Sequence, residues 1–279
     1  MGDGSFHRRL SPRESKDLIK AALRKGITSF DSAFSYKEAD SMLASALRES
    51  NTERESVEII SKIMPVPTLK KKAESSLRRL NTTYFDILLL HWPADGENTY
   101  ESLKKLEELQ TSGICREIGV SNFPYHMLKK ASEDFPISYH ERPLSLIWNK
   151  DWENEQTLNL KTLAYAPLGM GLLSMKYRSR DDLSDSRKEL FVWHSDNFKN
   201  LCTYISSLQY KAADIAYSWV ENESPYGIIQ GATAADELMI GGIKLSNEEL
   251  RILTAFADSI SSEAPSDNIF SHEYATINA

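Results

Sequence analysis

Short apolar runs alternate along the chain with longer stretches whose apolar residues recur every three or four positions. The runs in ITSFD, VEIIS, YFDILLL, REIGVS, PLSLIW, LKTLA and YGIIQ predict strands near 27–31, 57–61, 84–90, 117–121, 136–147, 161–165 and 226–229. MGDGSF supplies an eighth at the start of the sequence. The periodic stretches predict helices between most of them. In SPRESKDLIKAALRKG, Ser11 is the N-cap, Pro12 takes the first helical position and Glu14 completes a capping box. Leu18, Ile19, Ala22 and Leu23 share one face of that helix, and Gly26 stops it. ADSMLASALRES, TLKKKAESSLRRL, NTYESLKKLEELQTSG and a stretch from Pro124 read as helices too, as do two segments around 196–221 and two closing segments.

Strands that are apolar on both faces, alternating with helices, predict a parallel sheet covered by helices. Eight such units in 279 residues favour a closed (β/α)8 TIM barrel, a single domain over 1–279, over an open doubly wound sheet. No G-x-G-x-x-G follows any strand, and no linker or low-complexity segment divides the chain. A composition of 41% hydrophobic and 26% charged residues is that of a soluble globular protein. The net charge of −7 argues against a nucleic-acid partner, and LKKKAESSLRR reads as the solvated face of a helix. Cys115 and Cys202 make neither a disulfide framework nor a metal cluster, which points to a reducing compartment. Without a membrane-spanning apolar stretch or a signal pattern, the expectation is a cytoplasmic protein with no membrane partner. Its oligomeric state is unknown, with a monomer plausible.

In such a barrel the chemistry collects where strands end. Asp31 ends ITSFD, Lys62 follows VEIIS, His91 follows DILLL, Ser121 and Asn122 follow REIGV, and Tyr165 follows LKTLA. A histidine after an apolar run is often a core residue with a satisfied hydrogen bond. Asp, Lys and His at three consecutive strand ends converge on one mouth, however, and buried together each must be neutralised by another. Tyr36, five residues after Asp31, gives the group a reaction. A phenol is a poor acid at neutral pH until a nearby ammonium stabilises its phenolate. Lys62 would supply that charge, Asp31 would hold Lys62 protonated, and His91 would bond a carbonyl oxygen beside the tyrosine hydroxyl. The arrangement suits reversible reduction of a carbonyl by an external hydride donor.

With these residues in view the chain resembles the aldo-keto reductases. GITSFDSAFSY is similar to the family's Asp- and Tyr-bearing segment, IISK to its lysine strand and LLLHWP to its histidine strand. IGVSNF and AYAPLGMGLLSMKY resemble its nicotinamide and pyrophosphate segments, and IIQGATAADEL its adenine-side segment. The resemblance, over about residues 4–274, implies NAD(P)H-dependent reduction of an aldehyde or ketone, with Asp31, Tyr36, Lys62 and His91 as catalytic tetrad and Tyr36 as general acid. It also implies that Ser121 and Asn122 hold the nicotinamide carboxamide and that Tyr165 stacks on the ring. Ala166, Leu168 and Gly169, with Lys176 and, more weakly, Arg187, would line the pyrophosphate. Gly231 and Thr233 would lie near the adenosine phosphate.

The sequence departs from the family pattern in several places. The usual N-terminal β-hairpin is lacking, and the segment before the strand at 161–165, the seventh of eight, is too short for a full helix. Glu141 falls where a carboxamide-binding glutamine is usual, or His140 does if the register slips. Glu237, Ile240 and Gly241 stand where Gln or Arg, Glu and Asn usually grip the adenosine, leaving NADP(H) and NAD(H) both open as cofactor. These erosions favour one rival, a regulatory or cofactor-sensing barrel with little turnover. A second rival is a metal-dependent hydrolase on the same barrel, but the six histidines are scattered rather than paired. The substrate is unreadable beyond a small carbonyl, polar or sugar-like if the short loops leave an open mouth.

Overall fold

The computed structural model describes residues 10–264, positions 37, 66, 95 and 240 excepted. Along the chain run α1 (Pro12–Arg24), β1 (Ser29–Asp31), α2 (Ala39–Glu49), β2 (Glu58–Ile63), α3 (Leu69–Leu80), β3 (Phe85–Leu90), α4 (Gly96–Thr111) and β4 (Cys115–Ser121). There follow α5 (Tyr125–Asp134), β5 (Tyr139–Pro143), α6 (Trp152–Glu155), β6 (Lys161–Tyr165), α7 (Asp196–Ser207), α8 (Ala212–Asn222), β7 (Gly227–Ile229) and α9 (Asn247–Ser262). Among the described residues seven strands lie in one sheet in chain order. The expected eighth strand in MGDGSF, like the N-terminal hairpin expected to be missing, falls outside the described residues.

The chain divides into two compact units. The first takes in residues up to Glu141 with Leu158–Lys161 and Gly231–Leu238. Its strands pair in parallel, and their register fixes which side chains share a face. Asp31 is level with Ile60, Lys62 with Leu89, Leu89 with Gly119, and Ser121 with Glu141. Because side chains alternate along a strand, Asp31, Lys62, His91, Ser121 and Glu141 all belong to one face at its C-terminal edge. The other face carries Ile59, Ile63, Leu88, Leu90, Ile118 and Val120, packed with Leu43, Leu77, Leu106 and Leu128 of the helices. Gly119 is required where strands approach closely, since a Cβ there would lie 2.3 Å from the Tyr139 carbonyl oxygen.

Ser11 and Glu14 form the expected capping box, with Glu14 N–H donating to Ser11 Oγ at 3.3 Å and Ser11 N–H to the Glu14 carboxylate at 2.8 Å. Gly26 ends the first helix at φ +83°, a conformation costly for any residue with a Cβ.

The second unit comprises Arg142–Thr157, Thr162–Gln230 and the chain from Met239. In it β6 and β7 pair in parallel, with Tyr165 level with Ile229. Its core gathers Leu146, Leu172, Phe198, Leu201, Trp219 and Leu253. The strand expected over 136–147 is shorter, because the chain leaves the ladder at Pro143 and makes an antiparallel bridge from Ser145 to Trp148. The short segment before the strand at 161–165 is as expected: it holds only the four-residue α6. Of two closing helices, one, α9, is described.

Candidate active site

Lys62 is the centre of the first unit's polar cluster. It ends an apolar strand with its side chain only 1% exposed, so its charge must be met by protein groups. Asp31 meets it with a direct ion pair, and the Glu141 carboxylate lies 3.1 Å from the same ammonium. Tyr36 stands on a 3-10 turn, Phe34–Tyr36, with its ring centroid 5.7 Å from Lys62 Nζ. The Tyr36 and His91 rings meet edge to face, with centroids 5.9 Å apart. Asp31, Tyr36, Lys62, His91 and Glu141 are therefore assembled in one place.

The charges of the cluster follow from burial and neighbours. Burial works against the Lys62 charge, but Asp31, Glu141 and Tyr36 together hold the ammonium above the usual lysine range. Burial and the adjacent Lys62 push His91 down to about 3, so its imidazole is neutral at working pH. Its Nδ1 is buried and has no hydrogen-bond partner among the described residues. Burial and Asp31 push Glu141 up to about 8, against the opposing pull of Lys62.

Two local networks hold these groups. Asn122, in the left-handed region at φ 63°, donates its side-chain N–H groups to the His91 carbonyl (3.0 Å) and to Ser121 Oγ (2.9 Å). The amide expected to hold a carboxamide thus also ties two strand ends together. The tyrosine turn is anchored through Asp40, which accepts from Ser32 Oγ (2.8 Å), Ser76 Oγ (2.6 Å) and Arg79 Nη2 (2.7 Å). Arg79 and Lys72 also lie over the Phe34 ring, at 4.7 and 5.3 Å. Nothing in the sequence singled out Asp40, which lies in the stretch ADSMLASALRES expected to be a helix.

In the second unit Tyr165 ends β6, and the loop after it turns through left-handed residues Ala166, Gly169, Met170 and Met175. At Gly169 a Cβ would lie 2.7 Å from Ile147. The Gly169 N–H donates back to the Ala166 carbonyl and the Gly171 N–H to Leu168. Lys176 is exposed beyond the turn. Arg187 is buried, with bonds to both Asp185 oxygens (2.8 and 2.6 Å) and to the Met170 carbonyl (2.7 Å). Those bonds make it the anchor of this loop.

On the remaining segment of the first unit, Gly231 is exposed and Thr233 half-buried. Thr233 gives both its N–H (2.7 Å) and its Oγ1 hydroxyl (3.0 Å) to the Glu237 carboxylate. A cation beside this segment is Lys25, whose Nζ donates to the Leu238 carbonyl at 2.9 Å. No sequence signal could have placed it there, from 213 residues away. Ile240 lies outside the described residues, and Gly241 is exposed at φ 88°.

The lysine end fits a polar ligand group such as a nicotinamide: among the described residues the buried His91 Nδ1 has no hydrogen-bond partner. The Thr233 end fits a 2′-phosphate poorly, because its donors already face a carboxylate.

The glyoxal reductase of Bacillus subtilis (strain 168) is 33% identical over 172 residues, 57% of this chain and 60% of that protein. Methylglyoxal reductase DkgB of Salmonella typhi is 33% identical over 123 residues, 40% of this chain and 44% of its own. The chain's matched part thus spans 44% to 60% of the length of these relatives. The glycerol dehydrogenase AKR11B4 of Gluconobacter oxydans superposes with TM-score 0.77 at 23% identity, covering 92% of this chain and 89% of that one. The holo form of the aldo-keto reductase AKR11C1 of Bacillus halodurans gives 0.75 at 18%, covering 92% and 91%. Likeness at that coverage shows the fold, a (β/α)8 barrel. The model of the Aldo/keto reductase family matches residues 1–255, and with most of the sequence matched in this way the chain belongs to that family.

Proposed function

We propose that the chain reduces a small aldehyde or ketone to an alcohol with NADPH or NADH, Tyr36 acting as general acid. Membership in the family makes it an oxidoreductase. The observation that carries the finer reading is the buried Lys62, bonded to Asp31 and set 5.7 Å from the Tyr36 ring. Nothing in packing calls for an ammonium there, whereas proton transfer from a phenol does. The reduced nicotinamide, when bound, supplies the hydride. Tyr36 hands its hydroxyl proton to the carbonyl oxygen, and Lys62 stabilises the phenolate left behind. His91, neutral because it is buried beside Lys62, orients that oxygen as a hydrogen-bond donor without competing as an acid. Ser121, Asn122 and Glu141 are proposed to hold the carboxamide, and Tyr165 to stack on the ring. Ala166, Leu168, Gly169 and Lys176 would lie along the pyrophosphate, with Arg187 fixing their loop. No described helix is long and apolar enough to cross a membrane.

The names of the relatives suggest small dicarbonyls, glyoxal and methylglyoxal, as first substrates. Polar and sugar-like carbonyls extend the same class. The test is a screen of these compounds for carbonyl-dependent oxidation of NADPH and of NADH. No turnover with any, from protein that binds either cofactor, would favour the second reading, a cofactor-sensing barrel. The Thr233–Glu237 contact, which weakens the phosphate end, is the observation on that side.

A further inference from the structure

We infer that Glu141 is a positioning residue that works as a neutral acid, its proton shared with Asp31 beside Lys62, and that loss of this proton disables Tyr36. The inference rests on Tyr36 being the acid.

One ammonium here serves two carboxylates. The side chains of Lys62, Asp31 and Glu141 are 1%, 13% and 5% exposed. With all three ionised the cluster would bury a net negative charge, which is costly in a site this dry; one added proton makes it neutral. Glu141 is the place for it, being the more buried carboxylate, while Asp31 makes the closer contact with the ammonium. Burial and Asp31 push its carboxyl up to about 8. From β1 Glu141 faces Asp31, from the 3-10 turn Tyr36, from β2 Lys62, and from the end of β3 the neutral His91. On β4 Ser121 is its register neighbour, and Glu117 lies lower, bonded to Ser138. Lys161 of β6 sits on the Tyr139 hydroxyl at 3.2 Å. His140 and Arg142 alternate to the other side of β5, where Arg142 pairs with Glu155 at 2.7 Å.

The resemblance puts a glutamine at this position. A protonated glutamate is the titratable side chain nearest to it: neutral, with one donor and one acceptor. While the proton stays, Lys62 has charge to offer the phenolate form of Tyr36. Once it leaves, the cluster is negative and the phenolate is disfavoured, so Tyr36 weakens as an acid in reduction and less of it stands in the base form for alcohol oxidation.

The test pairs infrared spectroscopy with pH–rate profiles for wild type and Glu141→Gln. Wild type should show the carbonyl stretch of a neutral carboxylic acid at neutral pH. That band should fade as pH passes about 8 and, compared at neutral pH, be missing from Glu141→Gln. Whatever the variant's absolute rate, the alkaline limb of its kcat/KM profile should move to higher pH. No such band in wild type, its persistence in the variant, or superimposable alkaline limbs would each overturn the inference. If the variant fails to fold, 13C-glutamate labelling of wild type should shift the band that fades near pH 8, and an unshifted band would overturn the inference. A wild type with no carbonyl-dependent turnover would defeat the functional reading, while the band would still decide the state of Glu141.

Discussion

His91 shows what can and cannot be read from a single residue. In sequence it is a histidine after an apolar run, and a core role is the ordinary expectation. In the structure it is buried and pushed down to about 3, with Nδ1 lacking a partner among the described residues. A core histidine would have a satisfied bond, so the arrangement favours a ligand. His91→Ala should therefore reduce carbonyl turnover far more than it reduces the melting temperature. A large loss of Tm with near-normal kinetics would return it to the core. Lys62→Met removes the charge two carboxylates share, and breaking a buried pair in this way typically costs about 3–5 kcal/mol. Its deficit in Tm should shrink as pH falls, because Asp31 and Glu141 can then take up protons. A deficit that does not change with pH would show that Lys62 is not their partner.

Among the elements, the strands were legible because near-continuous apolar runs have few other uses, and α1 because its capping box is local. β5 was overextended in the sequence because PLSLIW is as apolar as a strand; Pro143 ends it all the same. The one-residue uncertainty between His140 and Glu141 mattered more, since it decides which side chain joins the cluster. The pairing of Glu141 with Lys62 spans 79 residues and left no local mark. Asp40 was equally illegible, although its side chain is fully buried and its bonds to Ser32, Ser76 and Arg79 carry the tyrosine turn. Asp40→Ala should lower stability by about 1–3 kcal/mol, the cost of leaving buried hydroxyls such as Ser76 without their acceptor, read by denaturant unfolding. At the Gly231–Leu238 segment, Glu237 stands where the resemblance puts an adenosine-gripping residue, and its carboxylate holds Thr233. Glu237→Ala should free those donors and improve NADPH binding relative to NADH. An unchanged ratio in fluorescence titrations of both would mean the segment does not meet the 2′-phosphate.

At the scale of the molecule, the buried cluster should leave its mark on stability as a function of pH. His91 has a folded value of about 3 against an ordinary 6.5, so the unfolded chain binds a proton that the folded one refuses. Its contribution is present above 6.5 and is lost as pH falls through 3. Glu141 acts in the opposite sense. Its value is raised from 4.5 to about 8, so its contribution is full below 4.5 and is lost as pH rises through 8. The difference in Tm between Glu141→Gln and wild type should therefore shift toward the variant across that interval. A constant difference would contradict the raised value. The central claim, that the cluster exists to move a proton through Tyr36, is tested most directly by one comparison. Carbonyl-dependent oxidation of reduced cofactor is measured for wild type and Tyr36→Phe, with cofactor binding followed in the same preparations. The account predicts turnover in wild type, a loss of roughly 10²- to 10⁴-fold in the variant, and nearly equal cofactor affinity. A Tyr36→Phe protein that works at close to the wild-type rate would contradict it.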